Sequence, residues 1–107
     1  MGRKKIDQMQ GHPSMMTQYN LGWSLYKIGR FEVAIEAFNT GIPIQPDYAF
    51  VYFRRGLAYV KLGKEAQAKE DFSEFLILVG DQEVNIPAEL KKEVLKLPDE
   101  YTAIKNL

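Results

Sequence analysis

The chain has 107 residues, no cysteine, and 14 Lys and Arg that balance 14 Asp and Glu. This length fits one domain with a modest core, and a formal net charge of zero argues against nucleic acid as the main partner, because phosphate contacts need surplus Lys and Arg. The lack of cysteine excludes disulfides, thiol catalysis and thiolate metal sites. No apolar run approaches the roughly 18 residues of a spanning helix, so no membrane is predicted and the cytoplasm is the default location.

The N-terminal half begins with a polar stretch and then predicts a pair of helices. Residues 1–13 are predicted to be a flexible arm. Ser14 suits the N-cap of a first helix, which runs to about Ile28 and stops where Gly29 can adopt the left-handed conformation. A second helix is predicted over residues 31–40, ahead of two prolines that favour its end.

A second pair of helices follows with the same arrangement. Asp47 is predicted to cap a third helix over residues 48–62, which again stops at a glycine, Gly63. A fourth helix is predicted over residues 65–79, and Gly80 is expected to end it.

The C-terminal segment predicts one further helix and a short turn. Pro87 suits the first turn of a fifth helix that reaches about Leu97, and Pro98 ends it. Asp99 is predicted to cap a final turn. Because no segment shows the alternation of a half-buried strand, the fold class is predicted to be all-α.

Identical residues recur at one spacing along the two helix pairs. The spacing is 34 residues, which is typical of a helix-turn-helix repeat. It separates the members of four pairs: Gly22 and Gly56, Gly29 and Gly63, Ala34 and Ala68, Phe38 and Phe72.

Two of these pairs carry a packing prediction. A glycine inside a helix costs about 0.5–1 kcal/mol relative to alanine, so Gly22 and Gly56 are expected where another helix crosses closely. The two alanines are expected on the facing helices. Phe38 and Phe72 are predicted to fill the gap between one repeat and the next.

These residues resemble the tetratricopeptide repeat, whose pattern is Trp-x2-Leu-Gly-x2-Tyr, then Ala-x3-Phe, then Pro. The first copy reads Gln18, Leu21, Gly22, Leu25, Ala34, Phe38 and Pro46. The second reads Tyr52, Arg55, Gly56, Tyr59, Ala68 and Phe72, with Gly80 where proline is usual. The departures are Gln18 for the aromatic residue and Arg55 for leucine.

The resemblance implies antiparallel helix hairpins stacked as a short right-handed α-solenoid. Together with the polar N-terminal stretch and the apolar spacing of the C-terminal segment, it divides the chain into an arm, two repeats and a cap. The arm is residues 1–13; the repeat region, residues 14–82, holds repeats at 15–48 and 49–82; a C-terminal capping helix and tail follow over residues 83–107.

In this repeat class the first helix of each pair lines a concave groove. Each first helix here carries an apolar stripe at i, i+3, i+7 and i+10, beside the packing stripe that includes Leu21 and Ile28. The groove stripes are Met16, Tyr19, Trp23 and Tyr26 in one repeat, and Phe50, Phe53, Leu57 and Val60 in the next. They predict a peptide- or helix-binding groove, because aromatic residues dominate interface energetics. Three cations are placed to meet an acidic flank of the ligand: Lys27, Arg54 and Lys61.

Two alternatives remain open from the sequence. Residues 87–107 have apolar residues at helical spacing and can cover the groove themselves. Self-association through the same surface is also plausible, because two repeats fall below the three or so that usually stand alone. The predicted partner is therefore a protein or peptide, or a second copy of the chain.

Catalytic and cofactor chemistry is not predicted. The serines have no histidine placed to activate them, and no glycine-rich phosphate loop or metal-ligand cluster is present. The acidic residues of the fourth helix, Asp71 among them, are expected on an exposed face beside lysines. The predicted function is a non-catalytic interaction adaptor without cofactor or metal.

Overall fold

The computed structural model describes residues 14–81 and 86–106, and within these ranges it contains helices and no strand. The helices are α1 (Met15–Lys27), α2 (Phe31–Gly41), α3 (Ala49–Lys61), α4 (Glu65–Asp81), α5 (Ala88–Leu95) and α6 (Thr102–Lys105). Pairs α1/α2 and α3/α4 pack as hairpins, and α2 packs against α3. The all-α prediction of stacked hairpins is confirmed. The predicted arm (1–13), residues 82–85 and Leu107 lie outside the described residues.

In each hairpin, a phenylalanine ring of the second helix packs directly against a glycine of the first helix. A Cβ atom added to Gly22 would lie 2.4 Å from Cε1 of Phe38, and one added to Gly56 would lie 2.6 Å from Cε1 of Phe72. The ring therefore occupies the space that the missing side chain leaves within its own hairpin. That Phe38 and Phe72 also fill the gap between one repeat and the next stays a prediction.

The first helix of each hairpin ends in the same way. Gly29 and Gly63 have φ of 83° and 73°, in the left-handed region that glycine adopts without steric cost. The Gly29 N–H donates to the Tyr26 carbonyl, and the Arg30 N–H donates to the Leu25 carbonyl at 2.9 Å. Both bonds recur around Gly63. These are the hydrogen bonds of the Schellman motif, which satisfy carbonyls that a helix end would leave unpaired.

Three predicted helix ends are wrong in detail. Asp47 does not cap α3, which begins without a side-chain cap hydrogen bond. Gly80 lies inside α4 rather than ending it. Asp99 does not cap α6; its carboxylate pairs with the Lys105 ammonium at 3.0 Å.

The C-terminal segment shares the core of the two hairpins. Leu90, Val94, Leu97, Tyr101 and Ile104 are buried in one cluster with the hairpin residues. The Tyr101 ring meets the Phe72 ring edge-on, with centroids 5.6 Å apart. Helix α6 packs against α4, so the second hairpin is covered on its outer side.

The packing stripe of α1 is not packed as predicted. Leu21 is 48% exposed and Ile28, directly after α1, is 72% exposed. Both side chains therefore lie at the surface, while Gly22 between them is buried. No helix within the described residues is long and apolar enough to cross a membrane.

Candidate functional site

The predicted groove residues lie together along α1 and α3. Burial differs along them. Tyr19, Trp23, Tyr26, Phe50 and Val60 are half-buried; Phe53, Arg54 and Leu57 are buried; Met16, Lys27 and Lys61 are exposed. Phe53 contacts two rings of α4, Phe72 and Phe75, with centroids 5.8 and 5.2 Å away. It is therefore a core residue, which corrects its prediction as an open anchor.

Helix α5 and the residues around it lie against these predicted groove residues. At one end, Leu90 and Glu89 line a cleft of about 320 Å³ together with Tyr19, Trp23 and Phe50. At the other end, Leu97 lines a smaller cleft of about 70 Å³, shared with side chains from both first helices: Tyr26, Leu57 and Val60. Of the open alternatives, the structure has the chain's own C-terminal segment against this face, with clefts left between the two.

Arg54 of α3 is the centre of this arrangement. Its side chain is buried, the residue being only 5% exposed, although the prediction placed it at the flank of a ligand. Its Nε donates to the Tyr19 hydroxyl and its Nη2 to Oε1 of Glu89, both at 3.0 Å. The guanidinium carbon lies 3.5 Å from the centroid of the Trp23 ring, close enough for a cation–π contact. Nη1 is buried without a hydrogen-bond partner among the described residues.

The aromatic row continues along α1 beyond Trp23. The Trp23 and Tyr26 rings are stacked, with centroids 5.0 Å apart and planes 12° from parallel. Burial raises the pKa of Tyr26 to about 12, the nearby Glu93 charge adds to the rise, and Arg54 opposes it. The Tyr26 phenol therefore stays neutral into the alkaline range in which a free tyrosine ionises.

Two family models match the chain over this helical region. The one described as "TPR repeat" matches residues 22–63, and the one described as "Tetratricopeptide repeat" matches residues 51–76. The chain belongs to the tetratricopeptide-repeat family. Tetratricopeptide repeats are protein–protein interaction modules, and neither matching model describes a catalytic domain. Among the described residues, no three His, Asp or Glu side chains are grouped to hold a metal ion.

The second tetratricopeptide repeat contains a polar pair that sequence reasoning missed. Arg55 donates from Nε and Nη2 to the two carboxylate oxygens of Asp71 at 2.8 and 2.7 Å, and from Nη1 to Asn39 of α2 at 2.8 Å. Asp71, predicted on an exposed face, is only 4% exposed. Burial raises the pKa of its carboxyl, while the hydrogen bonds from Arg55 oppose that rise.

A signal for this pair was present in the repeat spacing. The motif leucine, Leu21 in the first repeat, is replaced by Arg55 in the second. At the same offset, Ala37 is replaced by Asp71. Two opposite charges that appear together at equivalent positions indicate a contact.

Proposed function

We propose that this tetratricopeptide-repeat chain is a non-catalytic interaction module whose concave face binds an amphipathic helix of a protein partner. The observation that carries the proposal is Arg54, held between the Trp23 ring and the Glu89 carboxylate at the middle of that face. The surface consists of the predicted groove residues of α1 and α3, apart from Phe53, which belongs to the core.

Helix α5 supplies the pattern of the ligand, because it is a helix already seated on this face. Its buried residues, Leu90 and Val94, are four positions apart and lie on one side of the helix, in line with Leu97. Glu89 stands beside this apolar side and reaches Arg54. A partner helix with an acidic residue next to an i, i+4, i+7 apolar stripe would make the same contacts.

The charge on Arg54 favours an acidic ligand over a neutral one. A buried guanidinium that loses its carboxylate keeps its full desolvation cost, so any helix replacing α5 must bring an anion. Glu89 engages only one terminal nitrogen, and Nη1 has no hydrogen-bond partner in the part of the chain that the structure describes. A carboxylate placed to accept from both terminal nitrogens would bind more strongly than Glu89 does, since bidentate pairs are among the strongest hydrogen-bonded contacts.

We also propose the organisation that the sequence predicts. Repeats at residues 15–48 and 49–82 form the binding face, and residues 83–107 act as the cap. The arm, residues 1–13, precedes them. The cap has two roles, since α6 covers the second hairpin while α5 occupies the groove.

The test uses the full chain with α5 loosened by Leu90→Asp and Val94→Asp, and a labelled synthetic peptide of residues 86–106 as the probe. In this variant α5 should no longer occupy the groove. We therefore expect the peptide to bind the variant, and to bind the wild type much more weakly. Fluorescence anisotropy measures binding, and circular dichroism checks that the hairpins stay helical. If the double variant loses its helicity, the single variant Glu89→Lys is used in its place. It loosens α5 because the new lysine and Arg54 carry like charges.

Two peptide variants make the test specific for Arg54. The Glu89→Gln peptide should bind about tenfold more weakly, because it loses a charge-assisted hydrogen bond. The Leu95→Asp peptide should bind as the parent does, because Leu95 is exposed. A folded variant that fails to bind the parent peptide, or wild type that binds it equally well, would refute the groove.

The alternative is self-association through the same face, and it predicts a different result in the same experiment. There, α5 of one copy enters the groove of another, and the wild type would form a dimer that Leu90→Asp and Val94→Asp abolish. Light scattering on the same samples distinguishes this exchange from binding of a separate partner.

A further inference from the structure

A third cleft lies beside α5, at the end of the molecule where α1 and α3 stop. Its volume is about 440 Å³, which is within the range of sites that hold small ligands. Its walls come from three parts of the fold: α1 with the turn that follows it, the last residue of α3, and the end of α5. Because α5 supplies part of the wall, the cleft exists only while α5 is seated.

Aromatic rings form one wall of this cleft. Trp23, Tyr26 and Phe31 all line it, and all three are half-buried. The Tyr26 ring stacks on Trp23 and meets the Phe31 ring edge-on, with the latter two centroids 5.3 Å apart. The rings therefore support one another and still leave surface on which a further ring can pack.

Three lysines stand around the aromatic wall. Lys27 and Lys61 are 34 residues apart and end α1 and α3, so they hold the same position in the two repeats. Lys96 directly follows α5. All three are exposed, and neither Lys27 nor Lys61 forms an ion pair within the described residues. A cation is favoured at any helix end, which explains each lysine singly but not the grouping of three around one cleft.

The charge of the cleft suits a dianion. Among the described residues that line it, the one carboxylate is Glu93, which lies 3.9 Å from the Lys96 ammonium. Three lysines against one carboxylate leave a surplus of two positive charges. A phosphate monoester carries about −1.5 to −2 near neutral pH and compensates that surplus, whereas a single carboxylate leaves half of it. Lysine binds phosphate as a point charge.

The N-terminal arm is a poor match for this cleft. Helix α1 begins at Met15, and its 13 residues place that end about 20 Å from the cleft. The residues before it include Arg3, Lys4 and Lys5 against Asp7. A basic segment is repelled by a basic cleft, so the charges favour an occupant from another molecule.

We propose that this cleft binds a phosphotyrosine side chain of a protein partner. The phosphate lies among Lys27, Lys61 and Lys96, and the ring packs on the aromatic wall. This function is distinct from the proposed helix groove, because a helix that replaces α5 removes Lys96 from the site. A phosphotyrosine contacts α1, α3 and the C-terminal segment together and so holds α5 in place. The two ligands therefore exclude each other.

The first test compares short labelled peptides by fluorescence anisotropy on the full chain. The probe is Gly-Gly-phosphotyrosine-Gly-Gly. Replacing its phosphotyrosine by tyrosine should weaken binding at least about tenfold, because the charge is lost. Phosphoserine, or a pair of glutamates, should weaken it at least about threefold, because the ring is lost. Added NaCl should weaken the parent interaction, since exposed charges are screened.

The second test removes the two repeat-equivalent lysines. Lys27→Gln and Lys61→Gln should each weaken binding of the phosphotyrosine peptide about threefold, and together at least about tenfold. Lys91→Gln is the matched control, because Lys91 is an exposed lysine of α5 that lines a different cleft. It should leave the affinity unchanged. Phe31→Leu should reduce the preference for phosphotyrosine over phosphoserine, because it removes one ring of the wall.

The third test separates this site from the groove. The variant with Leu90→Asp and Val94→Asp should bind the phosphotyrosine peptide more weakly than the wild type does, because Lys96 leaves the cleft. The groove predicts the opposite change for the peptide of residues 86–106, so either site can fail while the other stands. If the double variant loses its helicity, Lys96→Gln provides the same comparison.

Four outcomes would overturn the proposal. The wild type could bind the tyrosine peptide as well as the phosphotyrosine peptide, or the glutamate pair equally well, which would make the cleft a general acidic site. The two lysine variants could leave the affinity unchanged. Lastly, binding that appears only after residues 1–13 are deleted would show that the arm fills the cleft.

Discussion

The two repeats share their backbone chemistry and differ where they meet neighbours. Gly22 and Gly56 receive the same ring at the same depth, and the turns after both first helices close with the same hydrogen bonds. In contrast, Leu21 of the first repeat is exposed while Arg55 of the second is tied to two other helices. The residues that shape each hairpin, such as Gly22 and Gly56, are therefore the same in both repeats. The residues that differ, such as Leu21 and Arg55, are those whose neighbours differ.

The largest effect is expected from breaking the polar pair of the second repeat. Asp71→Ala removes the carboxylate from the partly buried Arg55 and should lower the free energy of unfolding by about 2–3 kcal/mol. Adding Arg55→Leu, which copies the residue types of the first repeat, should recover most of that loss, because no unpaired charge remains.

Urea denaturation of the two single variants and the double variant measures the coupling. Independent, additive costs for the two substitutions would show that the contact between Arg55 and Asp71 carries no energy of its own. The matched control is Lys69→Ala, which removes an exposed pair with Glu65 and should change the stability far less.

An intermediate effect is expected at the shared glycines. Gly22→Ala and Gly56→Ala each place a methyl group against a phenylalanine ring, and each should cost about 1–3 kcal/mol by overpacking. Similar costs would support the equivalence of the hairpins. Gly80→Ala is the control, since a Cβ atom there meets nothing within 4 Å; it should be neutral or stabilising by up to about 1 kcal/mol. Destabilisation by Gly80→Ala as large as by Gly22→Ala would rule out the steric explanation.

The smallest effect concerns Tyr26, whose counterpart in the second repeat is Val60. It is a loss of stability that is seen only at alkaline pH. The folded chain raises the pKa of Tyr26 from the ordinary 10.0 to about 12. The neutral phenol is thus favoured by folding: its contribution is complete below about pH 10 and is lost as the pH rises through about 12.

Denaturation midpoints measured across this pH range for wild type and Tyr26→Phe test this contribution. The variant should lose less stability with rising pH than the wild type does. Identical alkaline profiles would show that Tyr26 is not held protonated by the fold.

The helices and hairpins could be predicted because their determinants are local. Glycine spacing located the ends of α1 and α3, and the offset of 34 residues located the repeat. The error at Gly80 has a physical reason: a glycine ends a helix only when the chain turns there, and Gly80 does not adopt the left-handed conformation that Gly29 and Gly63 share.

The site was predicted less completely because its determinants are distant in sequence. The stripes on α1 and α3 followed from periodicity, but the partner of Arg54 is Glu89, which lies 35 residues further along the chain. No pattern in the sequence around Arg54 shows that α5 is the helix that faces it. For the same reason, residues 87–107 were recognised as able to cover the face, while their actual contacts required the structure.

The repeated turn at Gly29 and Gly63 also has a consequence for the order of folding. Each turn joins helices that are adjacent in the sequence, so most contacts within a hairpin close short loops and cost little chain entropy. Chains dominated by such contacts fold quickly. The contact of Glu89 with Arg54 closes a much longer loop, so we expect the hairpins to form first and α5 to settle on them last. During that interval the face formed by α1 and α3 is not yet covered by α5, and the proposed partner helix would not have to displace it.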